Sequence, residues 1–320
     1  MLTLGFVLIA AGVALLWISA DPFVVAASRL AHLLGVSPIL IGALVIGFGT
    51  SAPELLVSSI SAARGELAES VGNVVGSNAA NLSLVLGVSV VIAPIAGQAR
   101  VIRREGVVTL LAMAAVTLVV LDETLVSGEG LALIGGMAVA SVLLLIWSRR
   151  DLGSGLVEVD LEGVDENAEY SIRREVLVAL LAMVGVVAGA WLLVRGGGEL
   201  ADVYGLTGGF VGATIFALGT SLPELVTAIA AARRKANDLV IGNVLGSNMF
   251  NSLLVIGAAA LIGPGAVGEN RIAEHAIMLG IGVLVGIFAI TRNRMGRLAG
   301  AALLGAFAVF VLVVAQNATA

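Results

Sequence analysis

Ten apolar stretches, each close to the length needed to cross a lipid bilayer, constrain this chain more than any other feature. A hydrocarbon core of about 30 Å takes roughly 20 helical residues to span. Runs of that size cover 2–20, 38–62, 70–94, 106–121, 129–147, 174–194, 206–231, 239–262, 273–290 and 298–315. Short polar turns separate them and hold nearly all the charge. Barrel strands would alternate apolar and polar residues over about ten positions; these runs do not, so helices are expected. Composition agrees, with 59% apolar and 12% charged side chains, against about 25% charged in a soluble domain. A soluble chain of this make-up would expose apolar patches and aggregate. The first run has no basic start and no small-residue cleavage site, so it is expected to be the first span and not a cleaved signal. The expected fold is an all-α integral membrane protein surrounded by the lipid bilayer.

Several function classes fall away at once. The net charge of −5, from 22 acids and 17 bases, leaves no polybasic face for nucleic acid. With no cysteine there are no disulfides, thiolate metal sites or thiol nucleophiles. Two histidines, His32 and His275, are too few for most zinc or histidine-relay chemistry. An intramembrane protease would need a His-Glu-x-x-His helix, two membrane aspartates or a serine with a histidine partner, and the spans supply none of these. The chain is expected to be no enzyme, to carry no cofactor, and to need no obligatory protein partner.

Charge placement sets the expected orientation. With the N-terminus outside, 14 of the 17 Lys and Arg residues fall on the cytoplasmic side, and only Arg64, Arg195 and Arg271 stay outside. That bias follows the positive-inside rule in both halves of the chain. It predicts a multi-pass protein of the cell membrane with both termini outside.

An internal repeat organises the spans. Gly49-Thr50-Ser51-Ala52-Pro53-Glu54-Leu55 returns as Gly219-Thr220-Ser221-Leu222-Pro223-Glu224-Leu225, an offset of 170. Gly72-Asn73-Val74-Val75-Gly76-Ser77-Asn78 returns at the same offset as Gly242-Asn243-Val244-Leu245-Gly246-Ser247-Asn248, and Asn81 matches Asn251. The expected organisation is a five-helix unit over 1–150, an acidic cytoplasmic linker over 151–172, and a second five-helix unit over 173–320. Five is odd, so the second unit enters the membrane inverted, an arrangement found in many secondary transporters.

Of the 22 carboxylates, only Glu54 and Glu224 fall near the middle of apolar spans, and they are repeat mates. A charged side chain at the centre of a bilayer costs about 2.5–3.5 kcal/mol on insertion scales and generally marks an ion path. Pro53 and Pro223 lack the N–H that would bond the Gly49 and Gly219 carbonyls, and Gly47, Gly49 and Gly219 ease a bend. Broken helices with carbonyls turned to a cavity are expected there. Thr50, Ser51, Thr220 and Ser221 add hydroxyls one turn before each glutamate. Ser77-Asn78 and Ser247-Asn248 interrupt the next apolar run and predict a second broken helix in each unit, so that spans 2, 3, 7 and 8 would all be broken. Gly72/Gly76 and Gly242/Gly246 are small-residue pairs suited to close helix crossing. Asn81 and Asn251 are open to either cation ligation or interhelical hydrogen bonding.

Carboxylates, hydroxyls and carbonyls are hard oxygen donors, suited to Ca²⁺ or Na⁺ and not to zinc or copper. Two ionised glutamates beside one Ca²⁺ sum to zero charge. Emptied, they would be two unpaired anions in a low dielectric, so they must be refilled by Na⁺ or by protons. Exchange is therefore expected in place of leak. A Ca²⁺/H⁺ antiporter is the alternative, and a channel fits a two-fold inverted site less well.

The doubled motifs resemble the α-repeats of the sodium/calcium exchanger family, within the wider cation/Ca²⁺ antiporters, and most closely prokaryotic members without regulatory domains. The resemblance implies ten helices in two inverted repeats and electrogenic exchange of several Na⁺ for one Ca²⁺ by alternating access. Helices one and six would slide across a core of repeat helices. It also implies that Glu54 and Glu224 coordinate Ca²⁺ and share Na⁺, with the Thr50 and Thr220 carbonyls completing the calcium site. Gly47, Ser51, Ser77, Ala217, Ser221 and Ser247 would line the flanking Na⁺ sites, with Asn81 and Asn251 at the centre. Some prokaryotic relatives carry an aspartate where Asn251 stands, so this cavity has one acid fewer. Potassium-transporting members also tend to carry an acid there, which weighs against K⁺ dependence. The 151–172 loop is too short for the calcium-binding regulatory domains of animal exchangers.

Overall fold

The lengths of the apolar runs dictate helices, and helices dominate the structure, a computed structural model that describes residues 2–96, 99–153, 169–203, 219–267, 272–292 and 294–319. In chain order they are α1 (Leu2–Leu34), α2 (Pro38–Thr50), α3 (Ala52–Ala63), α4 (Leu67–Ile92), α5 (Ala99–Val119), α6 (Ser127–Gly153) and α7 (Ile172–Val203). After these come α8 (Leu222–Arg233), α9 (Asn237–Ile262), α10 (Ile272–Arg292) and α11 (Arg297–Thr319). Seven of the described helices are long and apolar enough to cross a membrane, and the bent pair α2–α3 makes an eighth span. Large apolar side chains such as Trp17, Leu118, Leu181 and Leu298 are exposed on the periphery, where only lipid would favour them.

The repeat is written into the element boundaries. Helix α3 recurs as α8 at an offset of 170, and α4 recurs as α9, down to their π-helical turns at Asn81–Val85 and Asn251–Val255. Four two-residue strands form two antiparallel pairs. Ile95–Ala96 pairs with Arg294–Met295, and Thr124–Leu125 pairs with Gly265–Ala266. Each pair joins a strand of one unit to a strand of the other, and the 170-residue shift converts either pair into its counterpart.

Helices α1 and α7, themselves repeat mates, lie antiparallel along their length. A Cβ on Gly12 would meet the Gly189 carbonyl oxygen at 2.7 Å, and one on Gly5 would meet the Gly196 carbonyl oxygen at 3.1 Å. Only the missing side chains permit such backbone contact. The enclosed centre belongs to α4 and α9. Gly242 of α9 crosses α2 so tightly that a Cβ on it would approach the Gly42 Cα at 3.0 Å, and one on Gly246 would come closer still to Ala43, 2.7 Å from its carbonyl carbon. The expected packing role of Gly242/Gly246 is therefore seen.

Three expectations need correction. The first apolar run does not end near residue 20, because α1 continues through Pro22 to Leu34. Phe23, Val24, Ala26, Ala27, Leu30 and Ala31 extend a buried face at helical spacing, and that packing offsets the one bond Pro22 removes. Second, α4 and α9 are not broken at Ser77-Asn78 or Ser247-Asn248. Both run on as helix, with the π-helical turn starting three residues later. No proline interrupts them, and these polar side chains find partners across or along the helices, such as Asn78 Nδ2 on Ser252 Oγ at 2.8 Å. Third, Asp151 is not part of a solvated linker. It lies in α6, buried, and accepts hydrogen bonds from Arg104, including Nη1 to Oδ1 at 3.2 Å. The expected acidic linker otherwise falls mostly on 154–168, outside the described residues.

Candidate functional site

Each glutamate sits just after a helix break. Ser51 leaves helical geometry with φ −85° and ψ 7°, Ser221 with φ −85° and ψ 3°, and each is followed by a proline two residues on. The break bends α2 against α3 by 45°. It places Glu54 in the first turn of α3 and Glu224 in the first turn of α8, so each carboxylate lies at the positive end of a helix dipole. Residues 204–218, before Gly219, lie outside the described residues, so the expected break there is seen from its second side only.

Both carboxylates are fully buried, 0% exposed, and close enough to interact electrostatically. Serine hydroxyls hold them. Ser51 Oγ donates to Glu224 Oε1 at 2.8 Å, and Ser77 Oγ donates to Glu54 Oε1 at 3.3 Å. Among the described residues, nothing donates a hydrogen bond to the second oxygen of either acid, Oε2.

The amides repeat this pattern. Asn81 and Asn251 open the π-helical turns of α4 and α9 and are 0% exposed, yet among the described residues neither their Oδ1 nor their Nδ2 atoms have a partner. Ser221 Oγ and the Oδ1 atoms of Asn78 and Asn248 are likewise buried without one. Buried polar atoms are almost always paired, so a concentration of unpaired oxygens between four helices is a chemical statement. It is an oxygen-lined site with two carboxyl groups, matching the donor preference of Na⁺ or Ca²⁺. Among the described residues no cluster of three or more His, Asp or Glu side chains forms, so two carboxylates are the whole acidic complement available here.

Glu54, Glu224, Thr50, Thr220, Ser51, Ser221, Ser77, Ser247, Asn81, Asn251 and Gly47 are all buried. Gly47 lies against α9, where an added Cβ would meet the Ser247 nitrogen at 2.9 Å, and its carbonyl accepts from Ser247 Oγ at 3.3 Å. Ala217 lies outside the described residues. Sequence reasoning left Asn243 unassigned, although the repeated Gly-Asn-Val motif contains it. The structure buries it against Thr50, Ser247, Thr227 and the Glu224 backbone.

Comparison with known proteins gives a consistent answer. The family described as "Sodium/calcium exchanger protein" matches residues 4–147 and 175–316. The inner membrane protein YrbG of Escherichia coli is 32% identical over 324 residues, covering 96% of each chain. The sodium/calcium exchanger MaX1 of Methanosarcina acetivorans is 27% identical over 349 residues, covering 98% of this chain and 99% of its own. Among solved structures, the sodium-calcium exchanger NCX_Mj soaked with 2.5 mM Na⁺ and 0.1 mM Ca²⁺ superposes with a TM-score of 0.83. It is 27% identical, over 98% of this chain and 99% of that one.

Proposed function

Because the chain belongs to the sodium/calcium exchanger family, as a prokaryotic-type member without added regulatory domains, we propose that it exchanges Na⁺ for Ca²⁺ by alternating access. Glu54 and Glu224 are the coordinating acids in this reading. The observation that carries it is the pair of buried carboxylates, each with one oxygen engaged by hydroxyls and the other, Oε2, left for a cation. One Ca²⁺ neutralises the pair. The Thr50 and Thr220 carbonyls complete the calcium site, and Asn81 and Asn251 face the ion from the centre. Gly47, Ser51, Ser77, Ser221 and Ser247, with Ala217, supply the neutral oxygens around the Na⁺ ions.

The spans are counted as ten when α5 joins the eight, and when α8 is taken with the apolar residues before it as the tenth. Residues 1–150 and 173–320 are then inverted five-helix repeats, with both termini outside the cell membrane and the 151–172 loop in the cytoplasm. In this scheme α1 and α7 move together over the α4/α9 core, because their glycine contacts make them one packed unit.

A flux assay tests the coupling ion. Purified protein in vesicles should take up ⁴⁵Ca²⁺ when loaded with Na⁺, and not when only a K⁺ or a pH gradient is imposed. Uptake driven by the pH gradient alone would replace this reading with Ca²⁺/H⁺ exchange.

A further inference from the structure

Among the differences between the two halves of the site is one pair of repeat mates, Asn73 and Asn243. Asn243 is 1% exposed and uses both ends of its amide inside the site. Its Nδ2 donates to the Glu224 carbonyl oxygen and to Thr227 Oγ1, both at 3.4 Å. Its Oδ1 accepts from Thr50 Oγ1 at 3.3 Å and from Ser247 Oγ at 3.4 Å. A carbonyl oxygen can face only the NH₂ end of an amide, so the Glu224 backbone decides which way Asn243 is turned. Its oxygen must then face the two hydroxyls.

Asn73 behaves differently. It is half-buried and donates to Ser58 Oγ at 3.1 Å. Among the described residues it makes no bond to Thr220, Ser77 or the Glu54 carbonyl, the counterparts of what Asn243 holds.

A hydroxyl that ligates a cation must point a lone pair at the ion and send its single proton elsewhere. Asn243 Oδ1 is an acceptor for both such protons. Each hydroxyl also reaches a backbone carbonyl, Ser247 that of Gly47 at 3.3 Å and Thr50 that of Ile46 at 3.0 Å, so Asn243 competes with these carbonyls for the two protons, and without it both protons are left to them. The Ser247 proton would then occupy an oxygen that the site otherwise offers to the ion. We propose that Asn243 is a positioning residue that sets the Na⁺ affinity of the half-site formed by Gly47, Thr50, Ser247 and Glu224, and that Asn73 has no matching role in the other half. The inference rests on the Na⁺/Ca²⁺ exchange reading.

The test is initial ⁴⁵Ca²⁺ uptake into vesicles, titrated separately in Na⁺ and in Ca²⁺, for wild type, N243A and N73A. Loss of these hydrogen bonds should raise the half-saturating Na⁺ concentration of N243A by about tenfold. Half-saturation by Ca²⁺ should stay within about twofold, since both carboxylates remain, and N73A should alter neither value by more than about twofold. If N243A does not yield folded protein on gel filtration, N243S retains one hydroxyl in place of the amide and should show about a threefold rise. An unchanged Na⁺ requirement in the Asn243 variant overturns the proposal, as does an equal rise for both ions or an equal rise in N73A. Wild-type uptake indifferent to Na⁺ would instead overturn the exchange reading and this inference with it, a result read from the wild type alone.

Discussion

Ser51 donates a 2.8 Å hydrogen bond to Oε1 of Glu224, a residue 173 positions away in the other repeat. The first half of the molecule thus orients the second half's acid, while Glu54 is held from within its own half by Ser77. A hydrogen bond to an ionised group contributes about 1.5–3 kcal/mol, so S51A should weaken Ca²⁺ half-saturation by roughly ten- to a hundredfold. S77A, which removes a longer 3.3 Å contact to Glu54, should have a smaller effect. Titration of Ca²⁺ uptake in the two variants decides the order, and a larger effect for S77A would contradict this geometry.

The two acids should be individually indispensable. Removing one of two anions that face a divalent ion costs several kcal/mol, so E54Q or E224Q should cut ⁴⁵Ca²⁺ uptake by about a hundredfold or more. The amide keeps the size and hydrogen-bonding capacity of the side chain, so a monodisperse gel-filtration peak should persist. Substantial transport by either folded variant would remove the two-carboxylate site.

Arg234, at the end of α8, lies 3.1 Å from Asp21 of α1, and the neighbouring Arg233 stacks over Trp17 of the same helix at 5.2 Å. These contacts tie the proposed moving helix to the core. The Asp21–Arg234 pair is exposed, so D21N should change thermal stability by no more than about 1 kcal/mol. If α1 slides over the core, the variant should instead change maximal turnover by up to about fivefold without altering ion half-saturation. A shift in Ca²⁺ or Na⁺ affinity with turnover intact would mean that the pair acts on the site and not on the movement.

Close glycine packing makes a stability prediction. A Cβ on Gly189 would sit 3.0 Å from the Gly12 carbonyl oxygen, whereas one on Gly135 would meet nothing within 4 Å. Overpacking typically costs about 1–3 kcal/mol, so G189A should lower the thermal midpoint in detergent by several degrees and G135A should leave it unchanged. Equal midpoints for the two variants would show that α1 and α7 yield to the extra methyl group, and that their contact is looser than drawn.

Much of the site is legible in the sequence because its chemistry is carried by rare residues in a uniform background. Glu54 and Glu224 stand out in apolar runs, and Pro53 and Pro223 announce the breaks beside them. Ser77 and Ser247 mislead, because polar residues in an apolar run look like an interruption. In the structure they are helical residues whose side chains point at a neighbour. Asp151 misleads in the opposite direction, for a charge at the end of a run looks solvated until Arg104 is found beside it.

The sequence by itself determined the helical membrane class, the doubling at 170 residues and the identity of the paired acids, since all three follow from run length, periodicity and the cost of placing charge in hydrocarbon. Tertiary structure alone decided that α1 runs on to Leu34, that α4 and α9 stay whole, and that Asn243 turns into the site while Asn73 faces Ser58. The reason is range. A hydrophobic run is a local property, but the direction of a buried amide is set by partners such as Thr50, 193 positions away, which only the packed helices bring within reach.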